Sequence, residues 1–349
     1  MEGRSRSTTR RLALTLVLGF VVLAVAMTIA VVAGSSGIDF ARAFDRTISP
    51  NDDALILFEA RLPRVVLGAI AGAGLGAAGA ALQALLRNPL ADPYVLGTSG
   101  GAALGATIAI AFGVPALAGT GALLLPLAAF AGALGATLLV TTVARLTGTS
   151  TPTAIILAGI VVNAFATAAI TFVKVLVSSM QAQELLFWLV GSLGYERWST
   201  LGIAAAYVLT GVVVLTALAG RLNLLGLGDE AARSLGAQVT VLRWAVLVTT
   251  SLIVAGVVSL CGLVGFVGLV VPHGVRRVLG PDHRLVVPAS ALVGGAFLVL
   301  ADTGSRLLLG ALGTEPPVGA ITALIGCPIF LLILVGGRAR RVAGAEAPL

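Results

Sequence analysis

Apolar residues fall in long blocks along this chain, separated by short polar interruptions, and the block length sets the first expectation. About 20 consecutive apolar residues suffice to carry a helix across a bilayer core. Membrane strands would instead alternate polar and apolar over about 10 residues, and these runs do not alternate. The blocks predict ten helical spans, at 12–34, 62–86, 94–113, 122–144, 154–177, 200–219, 242–260, 263–279, 285–309 and 317–336. The expected fold is all-α and polytopic, with one transmembrane domain over 1–349.

The interruptions differ in kind. Residues 35–59 hold Asp39, Asp45, Asp52, Asp53 and Glu59 and read as an outer loop. Arg87 to Pro93 (RNPLADP) reads as a tight inner turn, because two prolines and Asn88 break the helix. The stretch TSTPT, 149–153, is a short polar link. Residues 181–198 are amphipathic, and Trp188, Tyr195 and Trp198 suit a membrane-interface belt, so an external surface or re-entrant helix is expected. The segment 226–237, GLGDEAARSLGA, predicts one or two short amphipathic helices closed by Gly236. It is either a docking surface for a soluble partner or an ordinary solvated loop.

Composition agrees with the pattern. Hydrophobic residues make up 58% and charged residues 11% of 349, with a mean hydropathy of +1.06, which excludes a soluble domain. The net charge of +7 could suggest nucleic acid, but the basic residues sit at span ends. Fifteen arginines fall on one side of the predicted topology and six on the other, so they act as topology signals, and both termini are expected inside a bacterial plasma membrane. The first apolar run follows Arg4, Arg6, Arg10 and Arg11, as in a signal peptide, but it exceeds the ~7–15 apolar residues of one and reads as the first span. Gly68, Gly72 and Gly76 form a small-residue stripe that would let a neighbouring backbone come close.

Little in the chain points to chemistry. Gly74, Gly76 and Gly79 match GxGxxG, yet they lie inside an apolar helix with no preceding strand, which argues against a dinucleotide site. His273 and His283 flank one inner turn without HExxH spacing, and Cys261 and Cys327 have no metal-site spacing, so no metal site is expected. The sole lysine, Lys174, follows Val173, so there is no P-loop, and nucleotide energy must come from another protein. Asp302 is the one buried-looking carboxylate, with Arg306 one turn away as its expected partner. An ion-coupled transporter is the rival reading, since helices broken at Pro89 and Pro272 could form ion sites, but the spans hold almost no carboxylates.

Eight segments in colinear order carry a resemblance: RLPR at Arg61, ALLRNPLADPYVLGTSGGAALG from Ala84, ILAG at Ile156, FWLVGSL at Phe187, LGLGDEAARSLGA, GLVGFVGLVVPH ending at His273, GPDHR at Gly280 and PPVGAITALIGCPIF from Pro316. Together they resemble the FecCD family of ABC importer permeases, which take up iron-siderophores, haem and vitamin B12, so the resemblance implies a metal chelate as cargo, an iron-siderophore ahead of haem or cobalamin. The resemblance implies a type II importer fold with ten helices per subunit, helices two to five repeating as seven to ten in inverted orientation. It implies a homodimer with its channel on the two-fold axis, two copies of an ATPase that binds the ATP, and an extracytoplasmic substrate-binding protein. No cofactor, catalytic residue or metal ligand is implied for the permease itself. Gly228, Asp229, Glu230, Ala231, Arg233, Ser234, Leu235 and Gly236 correspond to the ATPase-coupling segment. Arg61, Arg64 and Arg306 correspond to arginines that meet acidic residues of the binding protein, the alternative being lipid-headgroup snorkelling. Asn88, Leu90, Thr151 and Thr153 correspond to the cytoplasmic gate, with Pro152 standing where relatives often have a small polar residue.

Overall fold

The computed structural model describes residues 2–34, 36–45, 47–114, 121–146 and 152–345. It is all-helical, with no strand among the described residues. In chain order the helices are α1 (Glu2–Val32), α2 (Phe40–Ala43), α3 (Asp52–Leu55), α4 (Leu62–Leu85), α5 (Thr98–Ala111), α6 (Gly121–Leu146), α7 (Pro152–Leu176), α8 (Ser179–Val190), α9 (Trp198–Leu225), α10 (Asp229–Ser234), α11 (Val239–Cys261), α12 (Val267–Leu279), α13 (His283–Leu312) and α14 (Val318–Ala345). A π-helical segment, Ile56–Arg61, joins α3 to α4, and a 3-10 turn, Pro93–Leu96, precedes α5.

Seven of these stretches are long and apolar enough to cross a membrane, which makes this a multi-pass membrane protein. Two more apolar helices, Thr98–Ala111 and Val318–Leu332, are shorter. At 1.5 Å per residue, α5 covers about 21 Å, less than the ~30 Å hydrocarbon core. The sequence placed its start at Tyr94, but Pro93 opens a 3-10 turn and Gly97 takes a left-handed conformation before α5 begins. The second span also starts earlier than its hydropathy suggests. Asn51 caps α3 by accepting from the Ala54 amide, and Asp52 and Asp53 sit in the first turn, where the helix dipole favours acids. Helical structure then runs unbroken to Leu85, so the end of the acidic stretch read as loop is a helix start.

α4 is the axis of the bundle. It is buried along nearly its whole length and packs against α13, α9, α11 and α12. Hydrophobic burial cannot drive helix association in lipid, so close packing of small residues and hydrogen bonds between helices take its place. The glycine stripe supplies the packing: a Cβ on Gly72 would strike the Gly294 carbonyl of α13, and one on Gly76 would strike the Ser290 carbonyl. The neighbouring wall is backbone, which cannot rotate away.

Replacing Gly76 by valine should therefore part α4 from α13 and cost about 2 kcal/mol or more. A detergent melting curve, with Gly135→Val as the control at a glycine whose Cβ would meet nothing within 4 Å, checks this.

Candidate functional site

Each end of α4 carries a cluster of charged residues. At the first end, Arg64 donates from Nε to Asp302 Oδ1 at 3.0 Å and from Nη2 to the same oxygen at 2.7 Å, and also pairs with Glu315. Arg306, one turn beyond Asp302 on α13, donates from Nε to Oδ2 at 3.1 Å, the pairing that i,i+4 spacing predicts. Asp302 is 1% exposed, so its charge is tolerable only because two guanidinium groups meet it.

Arg306 and Arg61 also close the end of α1. The last carbonyls of a helix lack intrahelical partners and carry the negative end of the dipole. Arg306 donates to Ala30 O at 3.1 Å, and Arg61 donates to Val31 O at 2.8 Å and to Ser36 O at 2.7 Å. The π-helical segment delivers Arg61 to this position by adding a residue to the turn before α4. Tyr195 lies 5.9 Å from the Arg64 guanidinium, a cation–π contact.

The three arginines expected at the outer surface thus converge in one place, around a cleft of about 50 Å³ lined by all three. They are 5–6% exposed, so headgroup snorkelling does not describe them. Three guanidiniums face two carboxylates, leaving a net charge of +1.

At the other end, Arg87 follows α4 in a left-handed conformation and donates to Leu225 O, the last residue of α9, at 2.7 Å. It also pairs with Asp229, the first residue of α10, whose second oxygen accepts from Arg243 Nη2 of α11 at 3.0 Å. Partial burial pushes the Asp229 carboxyl up, but the hydrogen bonds and charges of Arg243 and Arg87 outweigh it and hold the group below the usual carboxylate range. α10 is therefore fastened at its start to α4, α9 and α11.

The rest of the segment takes the expected form. Gly228 and Gly236 have left-handed φ of 108° and 83° and bracket the helix. Gly236 N donates to Arg233 O at 2.9 Å and Ala237 N to Ala232 O at 2.9 Å, closing its C-terminus. Ala232 is fully buried, while Glu230, Ala231, Arg233, Ser234 and Leu235 are exposed. One side anchors and the other is presented.

The gate residues are less unified. Asn88 Oδ1 accepts from Leu90 N at 3.0 Å, so the side chain shapes its own turn. Thr151 lies outside the described residues, and Thr153 is exposed near the start of α7. Among the described hydrogen bonds none joins Thr153 to Asn88 or Leu90. What ties α7 to this region is Asn163, which donates to Tyr94 O at 2.8 Å and accepts from Gly100 N at 3.1 Å. The Arg87 and Arg243 contacts with Asp229, and the pairing of Arg64 with Asp302, have no local spacing that announces them.

A small-residue helix bundle with a fastened surface helix at one end and a buried arginine cluster at the other is the framework of a multi-pass membrane protein. The chain belongs to the FecCD transport family, whose profile matches residues 22–336. It is 46% identical over 286 residues to the cobalamin import system permease protein BtuC of Halobacterium salinarum, covering 82% of this chain and 74% of that one. It is 36% identical to the hemin transport system permease protein HmuU of Yersinia pestis, over 93% of this chain and 97% of that one. Among solved structures it is similar to an inward-facing conformation of a metal-chelate type ABC transporter, with a TM-score of 0.78 and 28% identity over 92% of this chain and 98% of that one.

Two outcomes follow from the clusters. Asp302→Asn leaves Arg64 and Arg306 buried without their shared counter-charge and should cost about 3–5 kcal/mol, seen as a lowered detergent melting temperature. Asp229→Asn should release α10, raising amide exchange over 228–236 roughly fivefold at neutral pH, about 1 kcal/mol. Because the folded-state value of Asp229 is depressed, its contribution is present above the ordinary carboxylate value near ~3.9 and is lost only as pH falls through the lower folded value. Exchange corrected for intrinsic rate should stay flat from neutral pH down to about 4 in the unsubstituted chain.

Proposed function

We propose that the chain is the membrane-spanning permease subunit of an ABC importer that carries a metal chelate inward, driven by ATP hydrolysed on a separate ATPase subunit. The observation that carries this reading is α10, fastened by Asp229 to three bundle helices while Glu230, Arg233, Ser234 and Leu235 face outward. A surface helix with that attachment passes a push from a soluble partner directly into α4, α9 and α11. A free loop would absorb it.

In this reading the polypeptide crosses the membrane ten times, with α5, α12 and α14 completing the seven long spans, and both termini lie in the cytoplasm. Two copies pair about a central channel. Two ATPase subunits dock on the segments 228–236, and ATP is held by them, so the permease needs no cofactor and performs no catalysis of its own. A substrate-binding protein docks at the opposite face, where the surplus positive charge around Arg61, Arg64 and Arg306 favours an acidic side chain. Asn88, Leu90, Thr151 and Thr153 form the cytoplasmic gate.

The proposed cargo is an iron-siderophore, haem or cobalamin. Cobalamin is tested first because the 46%-identical relative is named for it. The permease, its ATPase and its binding protein are reconstituted in liposomes, and uptake is measured for each chelate with and without ATP. One chelate should enter in an ATP-dependent manner. Glu230→Ala with Arg233→Ala should lower that uptake about tenfold, equivalent to ~1.4 kcal/mol of coupling, while basal ATPase activity persists. Uptake driven by an ion gradient without ATP would overturn the importer reading, and full uptake by the double variant would overturn the role of α10.

A further inference from the structure

A long apolar groove runs between α1, α12 and α13, floored by Ile329 of α14, with a volume of about 760 Å³. Its α1 wall is one face of that helix: Arg11, Leu14, Thr15, Leu18 and Val22 recur at helical spacing. Leu14, Leu18 and Val22 are 59%, 56% and 48% exposed, and Val278 on the opposite wall is 83% exposed, so the rest of this chain leaves the groove uncovered. From Arg11 to Val22 the wall rises about 16 Å, close to half of a ~30 Å hydrocarbon core. That is the length of one leaflet's acyl chain.

Among the described lining residues, charge lies at one end of the groove. Arg11 lies at that mouth, and Arg277 and Arg284, both exposed, adjoin the lining residues Val278 and Leu285 in the chain. None of the lining residues is acidic. A groove one leaflet deep with a cation at its membrane-surface end matches a lipid carrying a negative headgroup, each basic residue near such a surface being worth about 1 kcal/mol.

We propose that this groove holds an acyl chain of an anionic phospholipid whose headgroup phosphate pairs with Arg11. Placing that lipid in the inner leaflet rests on the orientation proposed above. The preference for a negative headgroup does not, since Arg11 marks the mouth in either orientation.

Two substitutions separate the contributions. Arg11→Gln removes the headgroup cation. Gly274→Phe fills the groove, and a Cβ on Gly274 would meet nothing within 4 Å, so the new side chain starts in open space. The full chain is exchanged into phosphatidylcholine vesicles doped with phosphatidylglycerol, re-extracted in mild detergent, and its retained lipid identified by native mass spectrometry. The unsubstituted chain should retain phosphatidylglycerol over phosphatidylcholine, Arg11→Gln should lose about fivefold of that preference, and Gly274→Phe should retain neither. Equal retention of the two lipids by the unsubstituted chain would overturn the proposal, as would full phosphatidylglycerol retention by either variant. Cross-linking of α1 to α12 of a second copy would overturn it too, by showing that protein covers the groove. If Gly274→Phe fails to fold, the lipid comparison on the unsubstituted chain and Arg11→Gln decide alone. The readout involves no transport, so its failure is distinct from failure of the importer reading.

Discussion

A helix that ends in or beside a membrane leaves carbonyl groups that water cannot reach, and satisfying those groups organises this bundle. Long polar side chains from distant helices supply the donors. Arg61 and Arg306 close α1, Arg87 closes α9, and Gln181 of α8 donates to Ile110 O at 2.9 Å and Ala111 O at 3.2 Å to close α5. Where the chain is irregular between α11 and α12, the Tyr94 hydroxyl accepts from Val264 N and donates to Val264 O, both at 2.8 Å. Each donor joins a helix end to an element remote in sequence. The same hydrogen bonds that remove an unmet polar group therefore set how the helices are arranged.

α4 gains its position from this arrangement. Arg61 and Arg64 lie at one end and Arg87 directly follows the other, with a helix of about 36 Å between them. At Gly72, Gly76 and Gly79 it touches backbone rather than flexible side chains, so it cannot slide by repacking alone. A displacement of α4 along its axis changes distances in both charge clusters at once. The two faces are thus linked through one packed element with discrete contacts at each end, which is the physical form a coupling route needs.

Local features of this design were legible in the sequence. The seven long apolar helices followed from apolar length, the stripe at Gly68, Gly72 and Gly76 signalled close approach, i,i+4 spacing paired Asp302 with Arg306, and the bracketing glycines marked α10. What escaped was non-local or depended on backbone detail. Arg64 meets Asp302 across 238 residues and Arg87 meets Asp229 across 142, and no periodicity encodes such pairs. The helix start at Asn51 was hidden because Asp52 and Asp53 lower the hydropathy while stabilising the first turn. The short α5 was overestimated because hydropathy does not distinguish a 3-10 turn from a helix.

For the docking role proposed above, the cluster around Asp302 has a suitable build although its arginines are buried. Asp302 is sealed, but the Glu315 side chain is 31% exposed, so the two carboxylates are not equivalent. A carboxylate arriving from solvent would compete with Glu315 for Arg64 and leave Asp302 in place. The exchange replaces one charge-assisted hydrogen bond with another, so its net contribution to affinity is small. Its contribution to geometry is larger, because Asp302 and the end of α1 hold the guanidiniums in fixed positions before the partner arrives. Charges held in this way set encounter rate and orientation more than strength, which suits a partner that must dock in one register and leave again.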